Sequence, residues 1–302
     1  MFTDPTRVGA FAVHADALRA GEPDTLFRLL VATTMFQRRS DLQIMRVLQG
    51  ISPSDTDELC SPDRLLALAD GCGCTHAGEL GALLSGCDLS KDPETGLGRC
   101  TAAPEVACAL KRHTVLLKRY GHFGKVPTAL ALNMRAHGVR DLGELRSRAL
   151  AQGADPAEAA ELLASWLQGA WRVSDKISAM YLSMLTNPDL SSGLAPWSEG
   201  VDWTRYVVID SNVDLFLRAV GYSGHGTYEA RRAFLMALAR EVDLSEFKPG
   251  LHGYNPRLIQ QAAYLFMSVS HRRSLARDCA RAAPQSCSSC STNLQVICTL
   301  RR

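Results

Sequence analysis

Residues 167–190, LQGAWRVSDKISAMYLSMLTNPDL, and residues 206–214, YVVIDSNVD, decide how this chain is read. The first stretch opens on the end of an apolar-periodic helix and turns at Gly169. A second helix then starts at Lys176, with Ser174 or Asp175 as its cap. Ile177, Met180 and Tyr181 share one face of that helix, Leu185 extends it, and Asn187-Pro188 stops it. Beyond an insert over 187–206 comes Asp210, directly after the β-branched run Val207, Val208 and Ile209. It precedes Ser-Asn-Val, where it is placed to cap a further amphipathic helix. Two helices joined by a short glycine-bearing turn aim backbone N–H groups and a helix N-terminus at a phosphate.

Upstream, LFRLLVATTMFQ reads as a buried helix capped by Asp24 or Thr25, with Leu26, Leu30 and Thr33 in line. It ends in the polar run Gln37-Arg38-Arg39-Ser40-Asp41, where a cleft rim would sit. A weaker helix falls within 8–20, and LQIMRVLQ is a second amphipathic segment. Ser61-Pro62 and Asp155-Pro156 are cap-then-proline starts, the latter opening a helix over 156–168. Residues 71–104 read as irregular and glycine-rich, 105–120 as a helix, and 128–136 and 141–150 as two more. Helices over 228–242 and 256–269 follow, the second led by Asn255-Pro256. The expected class is mainly α.

The chain has 302 residues and is 46% hydrophobic, enough for one large core or two lobes sharing a cleft. A net charge of +2 is too small to argue for a nucleic-acid partner, so distribution matters more. Arg272, Arg273, Arg277, Arg281, Arg301 and Arg302 crowd the C-terminus. Lys111, Arg112, Lys118, Arg119 and Lys125 crowd 105–125. These are two candidate phosphate footprints, or equally two solvated helical faces. No apolar run reaches the ~18 residues of a membrane span, and the N-terminus lacks the order of a signal peptide. A cytoplasmic, reducing location is expected, nucleoid-associated if the source is prokaryotic. There, ten cysteines are metal ligands or buried thiols rather than disulfides.

Lys176 and Asp210 carry the chemistry. A nucleophilic lysine must be neutral, which burial and a helix N-terminus both favour. Such an amine can attack C1′ of a flipped nucleotide, expel the base and leave a Schiff base that permits β-elimination. A fixed carboxylate stabilises the positive charge that glycosidic cleavage builds on the sugar. The plain alternatives are a surface lysine and an N-capping aspartate. The closing cysteines, Cys279, Cys287, Cys290 and Cys298, are spaced C-x7-C-x2-C-x7-C. Four thiolates in a short loop suit [4Fe–4S] or zinc, and the single C-x2-C pair favours iron–sulfur. Cys72, Cys74, Cys87, Cys100 and His76 are zinc ligands or free side chains. Their uneven gaps match paired zinc knuckles poorly, so free thiols are the expectation.

Residues 26–302 resemble the helix-hairpin-helix DNA glycosylases, in particular the endonuclease III and adenine-glycosylase branches. KISAMYL is similar to the lysine-led second hairpin helix, VIDSNVDLFL to the aspartate motif, and TTMFQRRSD to the helix end that carries a wedging glutamine. The resemblance implies Lys176 and Asp210 as catalytic, Gln37 as the wedge into the base stack and Asn212 near the sugar or the aspartate. It also implies a [4Fe–4S] cluster on the closing cysteines, with zinc as the alternative. Arg38, Arg39, Arg172 and Ser174 are candidate phosphate contacts. Where the family has Leu-Pro-Gly-Val-Gly, this chain has Ala170-Trp171-Arg172-Val173-Ser174-Asp175, and Thr33 stands near a glutamate of the adenine branch. A divergent member is implied. It would have two helical lobes around a DNA-binding cleft, one made of 1–44 and 187–270 and the other of 45–186. The cysteine loop would be 271–302. The implied partner is duplex DNA holding a damaged base or abasic site, and the implied state is a monomer. The alternatives are a monofunctional glycosylase, in which Asp210 activates water, a non-catalytic iron–sulfur DNA-binding protein, and a zinc protein that binds a partner through the 72–100 cysteines.

Overall fold

The computed structural model describes residues 1–37, 40–95, 97–106, 108, 110–111, 124–190, 193–268, 287 and 290–299. It is mainly α. The helices, in order, are α1 (Pro5–Val8), α2 (Ala15–Ala20), α3 (Pro23–Thr34), α4 (Asp41–Gln49), α5 (Pro53–Leu59), α6 (Pro62–Gly71) and α7 (Leu80–Gly86). Next come α8 (Lys125–Ala136), α9 (Leu142–Gln152), α10 (Pro156–Gln168), α11 (Asp175–Thr186), α12 (Ser211–Ala219), α13 (Tyr228–Arg240) and α14 (Leu244–Phe247). The series closes with α15 (Pro256–Met267) and α16 (Thr292–Ile297). Among the described residues the β structure is one antiparallel ribbon, β1 (Ser90–Lys91) with β2 (Gly98–Arg99), in which Ser90 faces Arg99.

Local chemistry sets most helix starts. Asp155 accepts from Ala157 N and Glu158 N ahead of Pro156, and Asn255 accepts from Leu258 N ahead of Pro256. Ser40 and Gln43 close a reciprocal capping box on α4. Helix α3 starts earlier than the sequence suggested. Pro23 takes its first position behind Glu22, so neither Asp24 nor Thr25 is the cap. The glycine-rich stretch 71–104 is less irregular than expected, since it contains α7 and the ribbon. The helix expected over 105–120 does not begin at 105, because Glu105 and Val106 lie in turns. Residues 112–120 fall outside the described residues.

Helix α3 is the spine. Leu26, Phe27, Leu29, Leu30, Val31 and Ala32 are buried, and the hydroxyls of Thr33 and Thr34 donate back to Leu29 O and Val31 O, both at 2.7 Å. It packs against α11, where the fully buried Tyr181 donates to Leu26 O at 3.0 Å. One apolar cluster runs from Phe2 to Val208. Two smaller clusters gather around α12, α13 and α15. No helix among the described residues is long and apolar enough to cross a membrane.

Candidate functional site

The turn between α10 and α11 is as tight as the sequence implied. A Cβ on Gly169 would meet Asn133 Oδ1 at 2.6 Å, and the Asn133 amide donates to Trp166 O at the same distance, so a larger residue would push aside the side chain that ties the helix end to α8. Arg172 takes the left-handed turn position with φ +67°, a conformation that favours glycine. Its guanidinium lies 4.8 Å from the Trp171 ring centroid, with Lys125 Nζ at 4.5 Å. Ser174 stands at the cap of α11 but its hydroxyl makes no capping bond, while Asp175 accepts from Gln168 Nε2 at 3.1 Å.

Gln37 fastens this turn to the end of α3. Its amide donates to Thr34 O at 2.8 Å and to Arg172 O at 3.0 Å. One residue earlier, Phe36 O accepts from Lys176 Nζ at 2.7 Å. The amine therefore sits at the second residue of α11, against the polar run that follows α3. Burial pulls the proton affinity of Lys176 below that of a free lysine, and the fields of Asp210 and Asp41 oppose the shift. Asp210 caps α12, its Oδ1 accepting from Asn212 N at 3.0 Å and Val213 N at 2.9 Å. Burial holds its carboxyl above the usual range, with the two capping bonds and Lys176 pulling the other way. Lys176 and Asp210 thus feel each other across two separate elements.

Sequence reasoning missed three neighbours of this pair. Asp41 faces both Lys176 and Asp210 and accepts a hydrogen bond from the Tyr264 hydroxyl. Arg257 is buried at the start of α15, where its guanidinium donates to Ser183 Oγ at 3.1 Å and Gln261 Oε1 at 2.8 Å, and also to Gln260. Those partners are neutral. Burial lowers this guanidinium to about 10 against the attraction of Tyr228, Asp210 and Tyr264. Residues 206–210, ahead of α12, belong to no helix or strand. The Tyr228 hydroxyl accepts from Ile209 N at 3.3 Å and donates to Val207 O at 2.7 Å, standing in for a paired strand.

Other sequence candidates fare differently. Arg38, Arg39, Cys279 and the C-terminal arginines up to Arg281, with Arg301 and Arg302, lie outside the described residues. Of the 105–125 basic zone, Lys111 and Lys125 turn inward rather than offering a phosphate footprint. Lys111 Nζ donates to the carbonyls of Ala103, Pro104 and Val106, and the buried Lys125 donates to Cys87 O. Phe36 and Trp197 are core residues. Phe36 packs edge-on to Phe2 at 5.5 Å, whereas Trp203 lies edge-on to His252. Cys290 N donates to Cys287 O at 3.0 Å, and Cys298 backs onto Leu215, Ala219 and Met267. No disulfide joins any of the nine described cysteines. No three described His, Cys, Asp or Glu side chains already stand as a metal-binding group.

No protein-family model, curated protein or solved structure matches the chain.

Proposed function

We propose that the chain is a helix-hairpin-helix DNA glycosylase that removes a damaged base from duplex DNA and nicks the resulting abasic site through an imine on Lys176. The observation that carries this reading is the amine and carboxylate brought into mutual field by α11 and α12, with burial lowering the lysine's hold on its proton. In this scheme the neutral amine attacks C1′ of the everted nucleotide and the glycosidic electron pair leaves with the base. The Asp210 carboxylate stabilises the cationic sugar and accepts the proton the amine loses. Ring opening gives the imine, and loss of a C2′ proton expels the 3′ phosphate. Gln37 would fill the gap in the stack, with Arg172 and Ser174 on backbone phosphate. Duplex DNA would lie between the 45–186 lobe and the lobe of 1–44 and 187–270, on a monomeric protein.

The closing cysteines Cys279, Cys287, Cys290 and Cys298 offer a donor chemistry that fits a [4Fe–4S] cluster, with zinc as the alternative. Such a group would supply a structural staple for the loop. The bond from Lys176 Nζ to Phe36 O favours a second reading, in which the lysine only holds the turn and Asp210 activates water without strand scission.

Borohydride trapping on duplexes bearing oxidised pyrimidines, 8-oxoguanine, uracil, alkylated bases or abasic sites separates these readings. A covalent adduct that vanishes in Lys176→Ala is the expected result. Base release without an adduct selects the water mechanism, and no release from any duplex while binding persists selects a non-catalytic DNA-binding protein.

A further inference from the structure

We propose that residues 72–108 bind a zinc-type ion through the thiolates of Cys74, Cys87, Cys100 and Cys108, a site separate from the closing cysteines and independent of the glycosylase reading. These four side chains come from the end of α6, the end of α7, the far side of the β1–β2 ribbon and the turn before Lys111. The fold brings them, with His76, onto the lining of one small pocket whose other walls include Ala77, Leu89 and Leu110. The thiols are close enough to feel one another: Cys87 senses Cys74 and Cys100, and Cys108 senses Cys72 and Cys74.

Two further observations point the same way. The segment has little of its own to hold it folded. It contains a helix of under two turns and a ribbon of two-residue strands, and its buried large apolar side chains, Leu83 and Leu89, join the main apolar cluster. No disulfide cross-links these loops among the described residues, so a shared ion would be their staple. Charge is also provided for. A divalent ion on four thiolates carries net negative charge, and the ammonium groups of Lys111 and Lys125 are fixed at the same loops, on the carbonyls of residues 103, 104, 106 and 87. No three donors yet stand as a metal group, so binding draws the sulfurs inward to the ~2.3 Å zinc–sulfur shell. Each thiol gives up its proton to solvent as its sulfur donates an electron pair to the metal, with no change in oxidation state.

Metal analysis of the full-length protein, purified under reducing conditions, tests this. About one zinc per chain is expected. Cys74→Ser/Cys100→Ser should lower zinc roughly tenfold or more while leaving iron and its absorbance unchanged, and Cys287→Ser/Cys290→Ser should do the reverse. Cobalt(II) added to zinc-stripped wild type provides a test that needs no variant to fold, because tetrahedral thiolate coordination gives intense charge-transfer and visible bands. Zinc that survives in Cys74→Ser/Cys100→Ser would overturn the site. So would a wild-type protein that carries no zinc and shows no thiolate–cobalt bands.

Discussion

At the scale of single residues, Lys176 and Asp210 are each poised against their ordinary charge state by burial and held toward it by the other. The signs give a prediction. A lysine whose folded proton affinity is lowered is protonated in the unfolded chain and partly neutral in the folded one between its lowered value and the ordinary 10.5. Stability contributed by this group therefore rises with pH across that window and is lowest below it. On the proposed reading, imine formation should rise with pH through an inflection below 10.5, seen in single-turnover trapping rates. Asp210→Asn removes a field that favours the ammonium, so the inflection should move to lower pH. Asparagine still caps a helix, so Tm should change by less than the equivalent of about 1 kcal/mol while the rate of base release falls roughly 100-fold or more. A trapping profile that does not move with the substitution would mean that the two groups are not coupled.

At the scale of elements, the hairpin turn and the N-terminus of α15 are the informative places. Arg172 holds a left-handed backbone that costs an L-residue roughly 1 kcal/mol. Arg172→Gly should raise urea-unfolding stability by about 0.5–1 kcal/mol, less whatever the Trp171 contact contributes. On the proposed reading it should also weaken DNA binding and lower the salt slope by about one. Asn187 and Asn255 exchange amide hydrogen bonds at 3.0 and 3.1 Å, both buried, and Asn255 also reaches Asp189 Oδ2 at 2.8 Å. Asn255→Ala removes a cap and strands the Asn187 amide, a loss of about 2–4 kcal/mol in the same assay.

These elements also show what was legible in the sequence. Asp155-Pro156 and Asn255-Pro256 announced their helices because a cap and a proline act within one turn of chain. Lys176 and Asp210 were legible because each stands at a helix start. Asp41, Tyr264 and Arg257 were not. The Asp41–Tyr264 bond spans 223 positions, and nothing local marks an arginine destined for neutral partners. Lys111 and Lys125 misled for the same reason, since composition counts charges without saying which way they point.

At the scale of the whole molecule, segments from both ends of the sequence pack on the elements that carry the candidate site. Phe2 packs on Phe36 beside the carbonyl that holds Lys176, and Thr299 N donates to Ala219 O at the end of the helix that Asp210 caps. Cys298 completes the apolar seam between α12 and α15. On the proposed reading, Cys287→Ser/Cys290→Ser should lower Tm by several degrees and increase binding of an apolar dye. An unchanged melt would make the closing cysteines incidental to the fold.

The bond from the lysine to Phe36 has a further implication. Gln37, one residue along, clips the hairpin turn with its own amide. If the duplex pulls that glutamine out to occupy the vacated base stack, the neighbouring carbonyl shifts with it and the amine is set loose. The protein would then carry a safety catch. On the proposed reading, away from damaged DNA the Lys176 amine would stay latched and spared from stray aldehydes, and everting a nucleotide would release it.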